Sequence, residues 1–274
     1  MVTTIFWGTL GLPFFMTLAL LIGARFLGER GIGSCLMGAA PAVAFVVSWI
    51  YFFGNPDWEM FKGNDWLLVM TPALALGWGL HSSKAWWIFL ALLACGAGYW
   101  ILKPLGLSQW SLWLSTIVFV LWMSMGGLLF QGGGAQESAG ELALFSVAAL
   151  SLLAWLIVMW GSASQAQVIG GLTTAVGVLV VFYLAGLVAG KGLSLGWIWI
   201  WFYWQLLNAH FYMDVPWWFL MGPAFILITA PFGSHIYYSS KVNFRALAKK
   251  VVFLTLVIGG VAYAAYAFKP KSFY

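Results

Sequence analysis

The sequence predicts an all-α, polytopic transmembrane helical bundle, and three observations carry that prediction. Only 7% of the 274 residues are charged, against about 25% in a soluble domain. Apolar residues gather into stretches of about 20 that recur from end to end, the length a helix needs to cross a bilayer. These stretches are continuously apolar and do not alternate, which selects helices over a barrel, because a backbone in lipid must close its own hydrogen bonds. No window of about 50 residues is polar enough to fold in water. Residues 1–274 therefore read as a single integral membrane domain with short loops and no soluble part.

About ten spans follow in order. The first, Thr4 to Gly23, has no Lys or Arg before it and ends at Arg25 without a small-residue cleavage signature, so it is expected to be retained. The second, Cys35 to Phe53, carries Pro41 and ends in the turn residues Gly54-Asn55-Pro56-Asp57. The third, Asp65 to Leu80, is short and contains Pro72; the fourth, Ala85 to Leu102, stops at Lys103-Pro104. The fifth, Trp110 to Phe130, runs into Gly132-Gly133-Gly134, a flexible turn without phosphate-loop spacing. Between the sixth, Leu142 to Trp160, and the seventh, Ile169 to Gly190, lie Ser162, Ser164, Gln165 and Gln167, followed by Gly170, Gly171 and Gly177, which admit close helix approach. The eighth, Gly196 to Tyr212, is an aromatic run; the ninth, Pro216 to Ala230, contains Pro223; the tenth is Val251 to Phe268. Prolines inside spans, Pro13 in the first among them, free a carbonyl and bend the helix. The third, eighth and ninth spans are short enough that eight or nine crossings remain admissible.

Orientation follows from Lys and Arg alone. With the first loop inside, one side collects Arg25, Arg30, Lys84, Lys191, Lys241, Arg245, Lys249 and Lys250, and the other Lys62, Lys103, Lys269 and Lys271. Both termini are then expected on the outer side of a cytoplasmic membrane. The net charge of +5 is thus an orientation signal, and no nucleic acid is expected as partner. Around 236–250 the sequence predicts a short basic amphipathic surface helix. Lys241, Arg245 and Lys249 recur every four residues with Lys250 beside them, a stripe for lipid headgroups or a partner's acidic surface.

Tryptophan is over-represented, at 19 residues. Trp49, Trp58, Trp66, Trp86, Trp87, Trp100, Trp110, Trp160, Trp217 and Trp218 stand at span ends, where indole anchors to the headgroup boundary. In the eighth span Trp197, Trp201 and Trp204 share a face while Trp199 and Phe202 point elsewhere. These four tryptophans are expected either to fill the bundle or to form an aromatic contact face for a partner helix, a ring-bearing lipid or a quinone. A short echo relates Asp65–Lys84 to Asp214–Lys241, including Pro72 and Pro223; coincidence explains it better than a repeat.

No Lys, Arg, Asp or Glu stands near the middle of any drawn span, so the usual mark of a proton relay or ion pathway is missing. The sequence has no mid-span Lys for retinal, no paired axial histidines, no His-Glu-x-x-His and no pair of buried aspartates. No cofactor and no metal are expected, and Cys35 and Cys95 read as packing residues. The acidic group Asp57, Glu59 and Asp65 with Lys62 is a weak catalytic candidate. The best polar cluster is Tyr203, Gln205, Asn208, His210, Tyr212 and Asp214. Within it His210 and Asp214 are four apart and share a face if the helix continues; the bland alternative is a belt of amides bridging helices. The leading functional expectation is a non-catalytic subunit or scaffold of a membrane complex, in contact with lipid, other subunits or its own copies. The alternative is a transporter or channel for a small neutral or hydrophobic solute, and a lipid-modifying enzyme comes third.

Overall fold

The structure, a computed structural model, describes residues 2–27, 32–55, 65–80, 96, 99, 108, 114–122, 139–187, 195–230, 237–238 and 241–268. Among these residues nine helices carry most of the chain: α1 (Val2–Phe6), α2 (Leu12–Phe26), α3 (Ile32–Phe53), α4 (Asp65–Leu80), α5 (Ala139–Met159), α6 (Ala163–Leu184), α7 (Trp197–Met213), α8 (Trp217–Ile228) and α9 (Phe244–Phe268). Residues 114–122 are helical too, and a small hairpin pairs β1 (Tyr237–Tyr238) with β2 (Lys241–Val242) ahead of α9.

Among the described residues, five helices are long and apolar enough to cross a bilayer: Thr3–Phe26, Cys35–Phe53, Gly140–Met159, Ala163–Leu184 and Phe244–Phe268. They occupy the first, second, sixth, seventh and tenth expected spans. The three spans expected to be short are α4, α7 and α8, with 16, 17 and 12 residues; at 1.5 Å per residue they reach about 18 to 26 Å. The fourth expected span lies outside the described residues apart from 96 and 99, and the fifth apart from 114–122.

Side-chain contacts give each helix its direction. Gly8 packs on Phe52 at the end of α3, so the first helix and α3 are antiparallel. Thr174 Oγ1 of α6 donates to the Thr9 carbonyl, and Arg25, late in α2, donates to the Leu187 carbonyl just after α6, so α2 and α6 run parallel. Gly140 at the start of α5 lies against Tyr183 at the end of α6, and Trp160 beyond α5 packs on Phe219 early in α8. Lys250 of α9 meets Glu141 of α5, near the start of each. The Trp197 indole donates to the Gly38 carbonyl and Trp201 stands edge-on to Phe45, so α7 runs parallel to α3. Trp199 pairs with Trp122 and Tyr203 with Ser115, so residues 114–122 run antiparallel to α7. Thus α2, residues 114–122, α6 and α8 run one way, and α3, α5, α7 and α9 the other. One end of the bundle gathers Arg25, Glu141, Arg245, Lys249 and Lys250; Asp214 and the starts of α6 and α8 lie at the opposite end.

The first helix is broken in a way that its sequence explains. Pro13 has no N–H, so the Thr9 carbonyl four residues back lacks its helical donor, and the chain widens into a π-helical turn over Trp7–Gly11. Hydroxyls from two neighbouring helices take up the freed carbonyls: Ser48 Oγ donates to Gly8 at 3.0 Å and Thr174 Oγ1 to Thr9 at 2.9 Å. Such substitution is what hydrocarbon surroundings demand, since water cannot supply the missing bond. Gly170 and Gly171 let α6 come this near. A Cβ on Gly171 would strike the Ser48 hydroxyl, and one on Gly170 would lie 2.6 Å from the Thr9 methyl carbon. Gly177, grouped with them on sequence, faces open space.

Two sequence expectations are corrected by the packing. The expected aromatic contact face is spent inside the chain: every residue from Trp197 to Ala209 is buried, and Trp197, Trp199, Trp201 and Trp204 are 0% exposed. An aromatic helix without a bare side gains most by lying at the centre, where its rings meet neighbours all round. The separate surface helix near 236–250 is replaced by the hairpin and by α9, which continues unbroken from Phe244 through Lys250 to Phe268. Lys250 leaves the basic stripe because its ammonium is buried against Glu141, so the apolar helix extends past it without a free charge. Of the tryptophans assigned to the membrane boundary, Trp217 and Trp218 are exposed, whereas Trp49 and Trp160 pack inside; Trp58, Trp86, Trp87, Trp100 and Trp110 lie outside the described residues, and so does the side chain of Trp66.

Candidate functional site

The polar cluster expected on the eighth span divides in two once α7 is seen in place. Its upper half closes the helix. Asp214 adopts φ 54°, in the left-handed region, and the Val215 N–H reaches back to the Ala209 carbonyl at 3.0 Å, so the helix ends at Met213 and Pro216 prevents its resumption. His210 hooks over this turn: its Nδ1 lies 3.0 Å from the Val215 carbonyl, to which a protonated Nδ1 donates. Its ring stands 4.4 Å from that of Trp217. The expected His210–Asp214 pairing needed the helix to continue by one residue, through Asp214; Asp214 instead swings out and is exposed. His210 thus serves as a local clamp at the rim, and Tyr212 sits half-buried beside it.

The lower half is different in kind. Tyr203 is satisfied, its hydroxyl donating to the Ser115 carbonyl at 2.7 Å. Gln205 and Asn208 are 1% and 0% exposed, yet Gln205 Oε1 and both amide atoms of Asn208 have no hydrogen-bond partner, and neither does the Trp201 indole N–H. Residues 201, 205 and 208 stand at i, i+4 and i+7, so the three share one face. At 1.5 Å per residue they form a row about 10 Å long, and Gln205 is the ninth of the seventeen residues of α7. The row thus offers a donor, an acceptor and an amide that is both, at mid-helix, walled by aromatic rings such as Phe45, which stands edge-on to Trp201.

Unpaired buried polar atoms are expensive, at about 1–3 kcal/mol each by mutational measure. Thr17 and Ser146 also bury hydroxyls without partners. A hydroxyl on a helix can turn toward the carbonyl of its preceding turn. A side-chain amide in mid-helix has no comparable local outlet, so the α7 row is the costlier feature and the one that calls for a function.

The opposite side of α7 is tightly closed. Trp122 and Trp199 exchange reciprocal bonds, each indole donating to the other's backbone carbonyl at 2.8 and 2.9 Å, with rings stacked at 4.3 Å. The sequence reading missed this clasp, because the two residues are far apart in the chain. It also missed the Glu141–Lys250 pair, with side chains 1% and 8% exposed, nitrogen to oxygen 2.5 Å, and the ammonium 5.5 Å from the Phe145 ring. This pair sits at the basic end, one residue deeper than exposed Lys249, so it holds α9 to α5 near the rim and not at mid-depth. Among the described residues, no group of three or more His, Cys, Asp or Glu is placed to hold a metal ion.

Compared with family models, with curated proteins and with solved structures, the chain matches none.

Proposed function

We propose that this multi-pass membrane protein admits a small, uncharged, hydrogen-bonding solute to the middle of its bundle, and that the row Trp201, Gln205 and Asn208 receives it. The observation that carries the reading is the set of buried atoms without a hydrogen-bond partner on those three side chains, the Trp201 indole N–H, Gln205 Oε1 and both amide atoms of Asn208, within a helix that is otherwise fully enclosed. A neutral solute fits because no carboxylate or cation stands on α7 between Trp197 and Ala209, so an ion entering would lose its hydration with nothing to replace it. The test is flux into liposomes containing the purified chain alone, with urea and glycerol as probes and stopped-flow light scattering as readout. Flux well above protein-free vesicles, lost in Gln205→Leu with Asn208→Leu, is expected; flux no greater than that of empty vesicles sinks the proposal.

Topology belongs to the same proposal. The directions of α2, α3, residues 114–122 and α5 to α9 are those that ten crossings would give them, and α2 and α9 are opposed, which supports an even number of spans and both termini on one side. Described bases Arg25, Arg245, Lys249 and Lys250 share one end, and the usual excess of bases on cytoplasmic loops supports a cytoplasmic location for that end. The subunit or scaffold reading comes second, now that its aromatic face is enclosed. What favours it is the outward side of α2, where Phe14, Phe15 and Phe26 are exposed. Recovery of the chain with a stoichiometric partner, or as a stable dimer, after mild detergent extraction supports that reading.

A further inference from the structure

The outward face of α9 is ordered along its length. Arg245, Lys249, Val252, Leu256 and Tyr263 fall on one stripe at helical spacing, all exposed, with Leu256 at 70% and Tyr263 at 77%. Gly259 and Gly260 lie in the same sector, and a Cβ built on either meets nothing within 4 Å. Charge thus comes first, an apolar path second and a bare floor third.

Lys250 is not part of this surface, since Glu141 neutralises it on the opposite side of the helix. The outward charge is therefore two cations, four residues apart. The acidic residues described besides Glu141 do not offset it: Asp214 lies at the far end of the bundle, and Asp65 is on α4.

We infer that this stripe binds one anionic phospholipid of the cytoplasmic leaflet, its headgroup phosphate between Arg245 and Lys249 and an acyl chain over Val252 and Leu256 to the glycine pair. Length agrees with the assignment. Ten residues separate Lys249 from Gly259, about 15 Å of helix, which is half of the roughly 30 Å hydrocarbon core. The bare floor therefore lies where the acyl chain of one leaflet ends. A partner helix seated on Gly259 and Gly260 would have no use for two cations at one end of the same stripe, whereas a phospholipid satisfies both halves. A guanidinium and an ammonium at this spacing offer a bidentate donor and a point charge to one phosphate.

The experiment uses the full chain, extracted gently from vesicles of phosphatidylcholine and phosphatidylglycerol in equal amounts, with native mass spectrometry as readout. The expected result is a single retained phosphatidylglycerol per chain. Retention falls about thirtyfold in Arg245→Gln with Lys249→Gln, about 2 kcal/mol for two bases near an anionic leaflet. Retention persists in Arg245→Lys with Lys249→Arg, and it declines with salt as headgroup attraction is screened. Equal retention of the two lipids, or unchanged phosphatidylglycerol in the double Gln variant, overturns the inference. So does a crosslink from a cysteine at Gly259 to a second protein chain. Because all substituted side chains are exposed, the result is independent of solute flux through α7.

Discussion

At the scale of single residues, the decisive property is whether a polar atom has a partner. Asn208→Ala removes an amide that makes no hydrogen bond, so the thermal denaturation midpoint in detergent is expected to hold or rise while solute flux falls; a drop in the midpoint together with normal flux would mark Asn208 as purely structural. The opposite sign is expected at the buried ion pair. Glu141→Ala leaves the Lys250 ammonium buried without its counter-charge, a loss of about 3–5 kcal/mol in chemical denaturation. Glu141→Leu with Lys250→Met recovers most of that loss, because two apolar side chains need no partner. Gln205 and Asn208 were legible in the sequence as a polar pair on an aromatic helix. The failure of the His210–Asp214 pairing was not, since it depends on where the helix stops, and Asp214 takes the left-handed conformation that stops it.

At the scale of elements, the broken first helix shows how a local defect becomes a tertiary joint. Pro13 frees the Thr9 carbonyl, and Thr174 of α6 occupies it. Thr174→Val is expected to cost about 0.6–1.7 kcal/mol, the range of interhelical hydrogen bonds in membranes. The cost shrinks in a Pro13→Ala background, where residue 13 regains the N–H that serves Thr9. A double-mutant cycle read by denaturation checks this, and additive losses would mean that proline and hydroxyl act independently. The proline was visible in the sequence and so were the glycines beside Thr174. What could not be read was that Ser48 and Thr174 face the same turn of α1 and α2, since that pairing spans 165 residues for Thr174.

At the scale of the whole molecule, direction and charge combine into one orientation. Single cysteines placed at Ser164 and Asp214, both exposed at the end opposite the bases, are expected to react with a membrane-impermeant thiol reagent applied outside intact cells. A cysteine at Ala248, exposed at the basic end, is expected to react only after the membrane is opened. The reverse pattern would invert the bundle.

The sequence by itself determined the all-helical class of the molecule, the approximate places of its long spans, the shortness of α4, α7 and α8 and the absence of charge along α7; the seventh span lies six residues earlier than drawn, at Ala163–Leu184, and the tenth starts at Phe244 and not at Val251. These are properties of a stretch, set by summed hydropathy and length against the thickness of a bilayer, and they need no knowledge of neighbours. Tertiary structure alone decided that the tryptophans of α7 look inward, that Lys250 belongs to Glu141 and that three side chains of one face keep buried polar atoms without a partner. Each of those depends on which element packs on which face, and the partners concerned are up to 159 residues apart for Trp197 and Gly38 and 109 for Lys250 and Glu141. Periodicity tells which residues share a face of a helix; it carries no information on what that face meets.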